Sequence, residues 1–213
     1  MRSLGYVVVV ALLAVGCKGE EGSFEQAPAP KAPGETKKNV TILKPPVDYG
    51  RKIPCATLLD AAKVGPIVGS EVVIEDKSDI DKDATAVCRV KKGGTPLSAK
   101  EQEKLFAKND RVLGVLPGDE MCQITVYCAF AYTPEEMKTT CQKGGEEVTA
   151  EIGDVTCIKQ IEAGAEYRTI VTALDLDTKC KLLVNPGPSV TDDKTPKACA
   201  RAAVELISTD SIK

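Results

Sequence analysis

The residues of this chain that can form covalent bonds are above all its cysteines. The sequence of 213 residues holds nine cysteines, no histidine and no tryptophan. Without histidine it has no Ser-His-Asp or Cys-His catalytic set and no imidazole metal ligand. No two cysteines stand in a C-x-x-C spacing, so the zinc-ribbon and thioredoxin-type patterns are missing as well. The cysteine chemistry that remains is acylation or disulfide formation.

Cys17 follows a segment that is typical of an exported protein. Residues 4–15 are uncharged and mostly apolar, which suits a signal-peptide h-region of roughly 7–15 residues and is too short for a membrane span of roughly 18 or more. The segment LAVGC at residues 13–17 resembles the bacterial lipobox, with Ala14 where a leucine is usual. The resemblance implies cleavage after Gly16 and a diacylglycerol thioether on Cys17. An ordinary signal peptide is the alternative.

The composition after Cys17 predicts a tether. Residues 18–34 mix glycine, glutamate and alternating Ala-Pro, and such a segment cannot bury enough apolar surface to fold. Residues 40–43 are an apolar patch, and the alternative is that they form an extra edge strand of the domain. The tether would hold the folded part away from the lipid headgroups.

The chain is therefore expected to have three parts. These are a lipoprotein signal peptide over 1–16, a lipidated Cys17 with a disordered Pro-rich tether over 17–53, and one folded domain over 54–213. In enterobacteria, a lipoprotein without aspartate after the lipidated cysteine is sorted to the outer membrane. Because residue 18 is lysine, this rule predicts that the protein lies outside the cytoplasm, in the outer membrane.

The other cysteines predict a disulfide framework, because an exported chain meets an oxidising compartment. They are Cys55, Cys88, Cys122, Cys128, Cys141, Cys157, Cys180 and Cys199. Their placement on the predicted elements favours the pairs Cys55–Cys88, Cys122–Cys157, Cys128–Cys141 and Cys180–Cys199.

Helices with one apolar face are predicted near both ends of the domain. Residues 55–67 and 196–208 each repeat apolar side chains at helical spacing. Gly69 should end the first helix, and Thr195 should be the N-cap of the last. Shorter helices are predicted over 134–141, opened by a capping box, and over 98–106.

Strands are predicted between these helices. Residues 121–132 alternate over six pairs of positions, which indicates a half-buried strand. Further strands are expected over 72–74, 86–90, 112–116, 148–152, 157–161, 167–175 and 180–184. Short turns between the last three predict an antiparallel meander. The fold class expected is α+β, an antiparallel sheet with helices on one face, stapled by disulfides.

The folded part is similar to a family of actinobacterial lipoproteins of unknown function, related to sensor domains of mycobacterial receptor kinases. The similar segments are Pro54-Cys55 with Leu58-Leu59, Val68-Gly69, Cys88, Ile152-Gly153-Asp154 and the Cys-Ala-rich helix over 198–207. The resemblance implies an α+β domain with disulfides and a ligand cleft, and it supplies no catalytic residue. Val90, where the family has an aromatic residue, and the additional cysteines depart from its pattern.

Other candidate sites have simpler explanations. Asp79, Asp81 and Asp83 begin like an EF-hand loop, but Ala84 and Val90 replace its required glycine and glutamate. The pairs Glu135-Glu136 and Glu146-Glu147 are explained by helix capping and surface charge. No catalytic residue, metal site or cofactor is expected.

The expected function follows from export and tethering. We expect a non-enzymatic envelope lipoprotein that presents a small ligand-binding or sensing domain, or alternatively a structural or assembly partner protein of the envelope. Its partners would be the membrane, through the lipid anchor, and a small ligand or envelope protein. A net charge of −3 gives no electrostatic reason to expect nucleic acid.

Overall fold

The fold is built on one antiparallel sheet. The computed structural model describes residues 44–109, 114–164 and 166–213. Its strands are β1 (Val72–Asp76), β2 (Ala86–Lys92), β3 (Glu120–Tyr127), β4 (Glu147–Thr149), β5 (Val155–Ala163), β6 (Glu166–Asp175) and β7 (Cys180–Pro186). Their order is β1-β2-β3-β7-β6-β5-β4, with every neighbouring pair antiparallel. The predicted signal peptide and Cys17 lie outside the described residues.

Helices accompany this sheet. They are α1 (Cys55–Leu58), α2 (Ala61–Val68), α3 (Ala99–Asn109), α4 (Pro134–Lys143) and α5 (Lys194–Leu206). On one face of the sheet, α5 lies over β3, β7 and β6, while α1 and α2 adjoin β1. The predicted α+β class and the antiparallel, disulfide-stapled sheet are confirmed. None of the helices in the described ranges is long and apolar enough to span a bilayer.

The main core lies between this face and the helices. Cys122, Ile124 and Val126 project into it from β3 and are fully buried. Val184 and Leu182 stand opposite Ile124 and Val126 on β7. The helix α5 adds mostly alanines, whose small size lets it lie close to the sheet.

The first predicted helix is interrupted. The sequence predicts one helix over 55–67, whereas α1 and α2 are separated by Leu59 and Asp60, both with extended backbone. The Asp60 carboxylate accepts a hydrogen bond from the Ala62 N–H at 2.9 Å. This contact caps α2 and so starts a second helix. α2 ends as predicted at Gly69, which has the left-handed φ of 77°.

The last helix is confirmed, but its cap differs from the prediction. The Asp192 carboxylate accepts hydrogen bonds from the Thr195 N–H at 2.6 Å and the Thr195 hydroxyl at 3.1 Å. Thr195 therefore lies inside α5, and the N-cap position belongs to Asp193. Asp192 replaces Thr195 as the side chain that satisfies a free N–H at the start of the helix.

β3 is shorter than its alternating sequence predicts. After Tyr127, the Cys128 N–H donates to the Thr85 hydroxyl at 3.0 Å instead of to a strand. The Cys128 carbonyl accepts the Val47 N–H at 3.4 Å. The chain leaves the sheet there, and residues 128–133 lead into α4.

Two other boundaries differ from the prediction. Val47 and Ile53, assigned to the tether, are only 2% and 4% exposed and belong to the main core. Their burial places residues 44–53 with the folded domain. Of the strand predicted over 112–116, residues 112 and 113 lie outside the described residues, and 114–116 form no strand.

The eight cysteines of the domain form four disulfides. The predicted pair Cys55–Cys88 is confirmed, and it joins α1 to β2. The other predicted pairs, Cys122–Cys157, Cys128–Cys141 and Cys180–Cys199, are wrong. The structure instead has Cys122–Cys199, Cys128–Cys180 and Cys141–Cys157.

The order of the strands explains these pairs. β7 lies beside β3, so the end of β3 meets the start of β7 and Cys128 bonds Cys180. Cys122 points into the main core and meets Cys199 on α5. Cys157 projects from the opposite face of the sheet, where it cannot reach Cys122.

We predict that a thiol reductant opens the Cys141–Cys157 disulfide first under native conditions. Cys141 is 4% exposed, whereas the cysteines of the other three disulfides are 0–1% exposed. Thiol–disulfide exchange needs access to a sulfur atom. After limited reduction, alkylation and peptide mapping should find label on Cys141 and Cys157 alone. Labelling of another pair before this one contradicts the prediction. The control is protein unfolded in urea, in which every disulfide should be reduced and labelled.

Candidate functional site

The second face of the sheet has a small apolar cluster of its own. Successive strand residues point to opposite faces, so Ala173 of β6 lies in the main core and Leu174 faces away from it. Leu174 packs there with Met137, Cys141, Val155 and Cys157. Since Met137 and Cys141 belong to α4, this helix packs on the face opposite to α1, α2 and α5.

Local sequence features fix α4 at both ends. The predicted capping box is present: the Glu136 N–H donates to the Thr133 hydroxyl at 3.2 Å, and the Glu136 carboxylate accepts the Thr133 N–H at 3.3 Å. The Cys141–Cys157 disulfide fastens the other end to β5. The chain then returns, and the Glu146 N–H donates to the Cys141 carbonyl at 3.0 Å.

A cleft of about 230 Å³ remains between α4 and the sheet. We call it the α4 cleft. Its lining residues are Tyr132, Glu136, Met137, Thr140, Cys141, Glu146, Thr172 and Lys181. Its volume lies just below the common range for small-molecule sites, roughly 300–1,000 Å³. It combines an apolar base with an ammonium, hydroxyls and carboxylates.

Lys181 brings a positive charge to the α4 cleft. It stands directly opposite Tyr127 across the β3–β7 pairing. Its Nζ lies 4.8 Å from the centroid of the Tyr127 ring and 4.7 Å from that of Tyr132, both cation–π distances. None of the ion pairs among the described residues includes Lys181.

Burial controls the ionisation of these groups. It lowers the pKa of Lys181 below its usual range, because a desolvated ammonium is disfavoured. It also raises the pKa of Tyr132, which keeps that phenol neutral. The two neutral rings meet the ammonium with their π faces and bring no negative charge to it.

Tyr127 is held by the acidic loop of Asp79, Asp81 and Asp83, whose sequence begins like an EF-hand loop. Its hydroxyl donates to the Asp81 carboxylate at 2.9 Å. Burial and this hydrogen bond raise the pKa of Tyr127 to about 12. Asp81 also accepts the N–H groups of Asp83 at 2.9 Å and Ala84 at 3.3 Å. The Asp81 carboxylate therefore closes the loop and positions the tyrosine.

Glu146 is one of the two carboxylates that line the α4 cleft. Its Oε1 lies 4.0 Å from the Lys159 Nζ, and its side chain is 19% exposed. One carboxylate oxygen of Glu146 and the sulfurs of Cys141 and Cys157 lie within 4.8 Å of one another. The two sulfurs are bonded to each other. They are therefore not thiolates, the form in which cysteine binds metals.

Larger hollows lie along α2 and β1. Their volumes are about 570 and 510 Å³, and they are more open to solvent. Small apolar side chains and backbone line most of them, and neither has a cationic or aromatic side chain. We place the candidate site in the α4 cleft, where charged and aromatic groups converge.

Sequence reasoning does not single out Lys181, Tyr127 or Tyr132 as site residues. Alternation along β7 assigns Lys181 to the face opposite the core, which is a position shared by many solvated lysines. The sequence could indicate this site only if the pairing of β3 with β7 were already known. Of the eight cysteines of the described domain, six lie in the main core and Cys141 lines this site.

A comparison of the chain with protein families, curated proteins and solved structures finds no match.

We predict that high pH destabilises the wild-type domain more than a Tyr127→Phe variant. The pKa of Tyr127 is about 12 in the folded chain, against about 10 in an unfolded one. The neutral phenol therefore stabilises the fold fully below about pH 10, and this contribution is lost as pH rises through about 12. Urea unfolding at about pH 9 and about pH 11 measures the difference, while the phenylalanine keeps a ring beside Lys181. An equal loss in both proteins contradicts the assignment.

Proposed function

We propose that this chain is a non-enzymatic lipoprotein of a bacterial envelope, anchored in the outer membrane by lipid on Cys17, with a ligand-binding or sensing domain outside the cytoplasm. One observation carries the binding role: the Lys181 ammonium lies against two tyrosine rings in the α4 cleft, and none of the described carboxylates forms an ion pair with it. A partly desolvated charge without a partner is costly. A ligand with a negative group would remove that cost.

Two features of the chain support export and anchoring. The lipobox-like segment at residues 13–17 and the Pro-rich residues after it suit an acylated, tethered protein. The disulfides of the domain suit an oxidising compartment, since such bonds are rare in the cytosol.

The groups of the α4 cleft suit binding better than catalysis. The Lys181 ammonium faces two tyrosine rings, and among the described residues it makes no hydrogen bond to a serine, threonine or cysteine side chain that it could activate. The chain also has no histidine to serve as a general base near neutral pH. The cleft can hold a ligand by charge, hydroxyl hydrogen bonds and apolar contact.

The anchor is tested by the mass of protein extracted from membranes. We expect the wild-type chain to begin at Cys17, to carry diacylglycerol and fatty acid, and to fractionate with membranes. A Cys17→Ser variant should carry no lipid and should be lost from the lipidated fraction. Wild-type protein that is soluble, unacylated and begins at Lys18 or later contradicts the anchor.

The binding role is tested by a thermal-shift screen of amino acids, short peptides, carboxylates and sugar acids. We expect at least one compound to raise the melting temperature of the wild-type domain but not of a Lys181→Met variant, which keeps the side-chain length without the charge. A Lys63→Met variant is the matched control, because Lys63 is exposed on α2. If no compound depends on Lys181, the proposed function fails.

A further inference from the structure

We propose that the ligand of the α4 cleft is a short peptide with free ends. Its terminal carboxylate would pair with Lys181 and its terminal ammonium with Glu146. This assignment rests on the proposed binding function and adds the chemical class of the ligand.

The spacing of the two charges sets the length of the peptide. Lys181 projects from β7, whereas the Glu146 carboxylate lies within 4.8 Å of the Cys157 sulfur on β5. β6 separates β7 from β5. Two strand spacings of about 4.8 Å separate the backbones of β7 and β5 by about 10 Å, and the Lys181 ammonium lies on the far side of that gap, because it leans over the Tyr127 ring on β3. An extended chain covers roughly 3.3–3.6 Å per residue, so about two to three residues bridge the distance.

Hydroxyl groups lie between the charges. Thr172 on β6 and Thr140 on α4 both line the α4 cleft. The Thr140 hydroxyl donates to the Glu136 carbonyl at 2.8 Å, which leaves its oxygen able to accept a peptide N–H. Met137 and Cys141 provide apolar contact. The cleft is small, about 230 Å³, which favours small side chains.

The two carboxylates argue against a ligand that is only an anion. Glu136 and Glu146 line the same cleft as Lys181. Glu146 is only weakly compensated, since Lys159 lies 4.0 Å away. A phosphate or a simple carboxylate would be repelled by these groups. A ligand with a positive end at Glu146 turns that repulsion into attraction.

Titration calorimetry with alanine peptides tests the assignment. The probes are L-alanine, Ala-Ala, Ala-Ala-Ala, and the N-acetyl and C-amide forms of the tighter peptide. We expect the dipeptide or tripeptide to bind at least about tenfold more tightly than alanine. Acetylation and amidation should each weaken binding by about tenfold or more, because each removes a hydrogen-bonded charge.

Two variants assign each end of the peptide to its partner. In Lys181→Met the penalty for amidation should disappear, and in Glu146→Gln the penalty for acetylation should disappear. Lys63→Met and Glu103→Gln, at exposed positions on α2 and α3, should keep both penalties. Melting curves establish that each variant is folded.

The outcomes separate this assignment from the proposed function. Acetylated peptide that binds as tightly as free peptide, or alanine that binds as tightly as Ala-Ala-Ala, overturns the peptide assignment. Failure of every alanine peptide to bind overturns it as well. In each case the proposed binding function still stands if the thermal-shift screen finds a ligand that depends on Lys181. If the screen finds none, both the peptide assignment and the binding function are contradicted.

Discussion

The antiparallel pairing of β3 with β7 is the contact on which both faces of the sheet depend. It joins Glu120–Tyr127 to Cys180–Pro186 across a long stretch of sequence. On the core side it places Ile124 and Val126 against Val184 and Leu182. On the other side it places Lys181 beside Tyr127, which creates the positive end of the α4 cleft. Two disulfides, Cys122–Cys199 and Cys128–Cys180, lie at this pairing and stabilise it.

Elements set by local pattern could be predicted from the sequence, and contacts between distant segments could not. The alternation of β3, the capping box of α4 and the meander β5–β6–β7 are short-range features, and the structure has all of them. The wrong disulfides have one cause: periodicity indicates which face a cysteine occupies but does not identify the neighbouring strand. The candidate site was missed for the same reason, since Lys181 and Tyr127 are ordinary outward residues until β3 and β7 pair. The split between α1 and α2 has a local cause, the capping contact of Asp60, which apolar spacing does not reveal.

The two faces of the sheet differ in how they are held together. The main core is continuous and includes three of the four disulfides. The wall of the α4 cleft rests on a separate, smaller cluster and on one disulfide. A binding surface attached in this way can loosen without unfolding the scaffold, because local opening follows the number of buried contacts that it breaks.

The nesting of the disulfides makes biosynthesis of this domain demanding. Cys122–Cys199 encloses Cys128–Cys180, which in turn encloses Cys141–Cys157. A chain that is exported enters the oxidising compartment with its N-terminus first, so Cys122 and Cys128 become available there before either of their partners. An oxidant acting at that stage would join them to each other or to Cys141. The native bonds therefore require either delayed oxidation or thiol exchange by a disulfide isomerase, over seconds to hours.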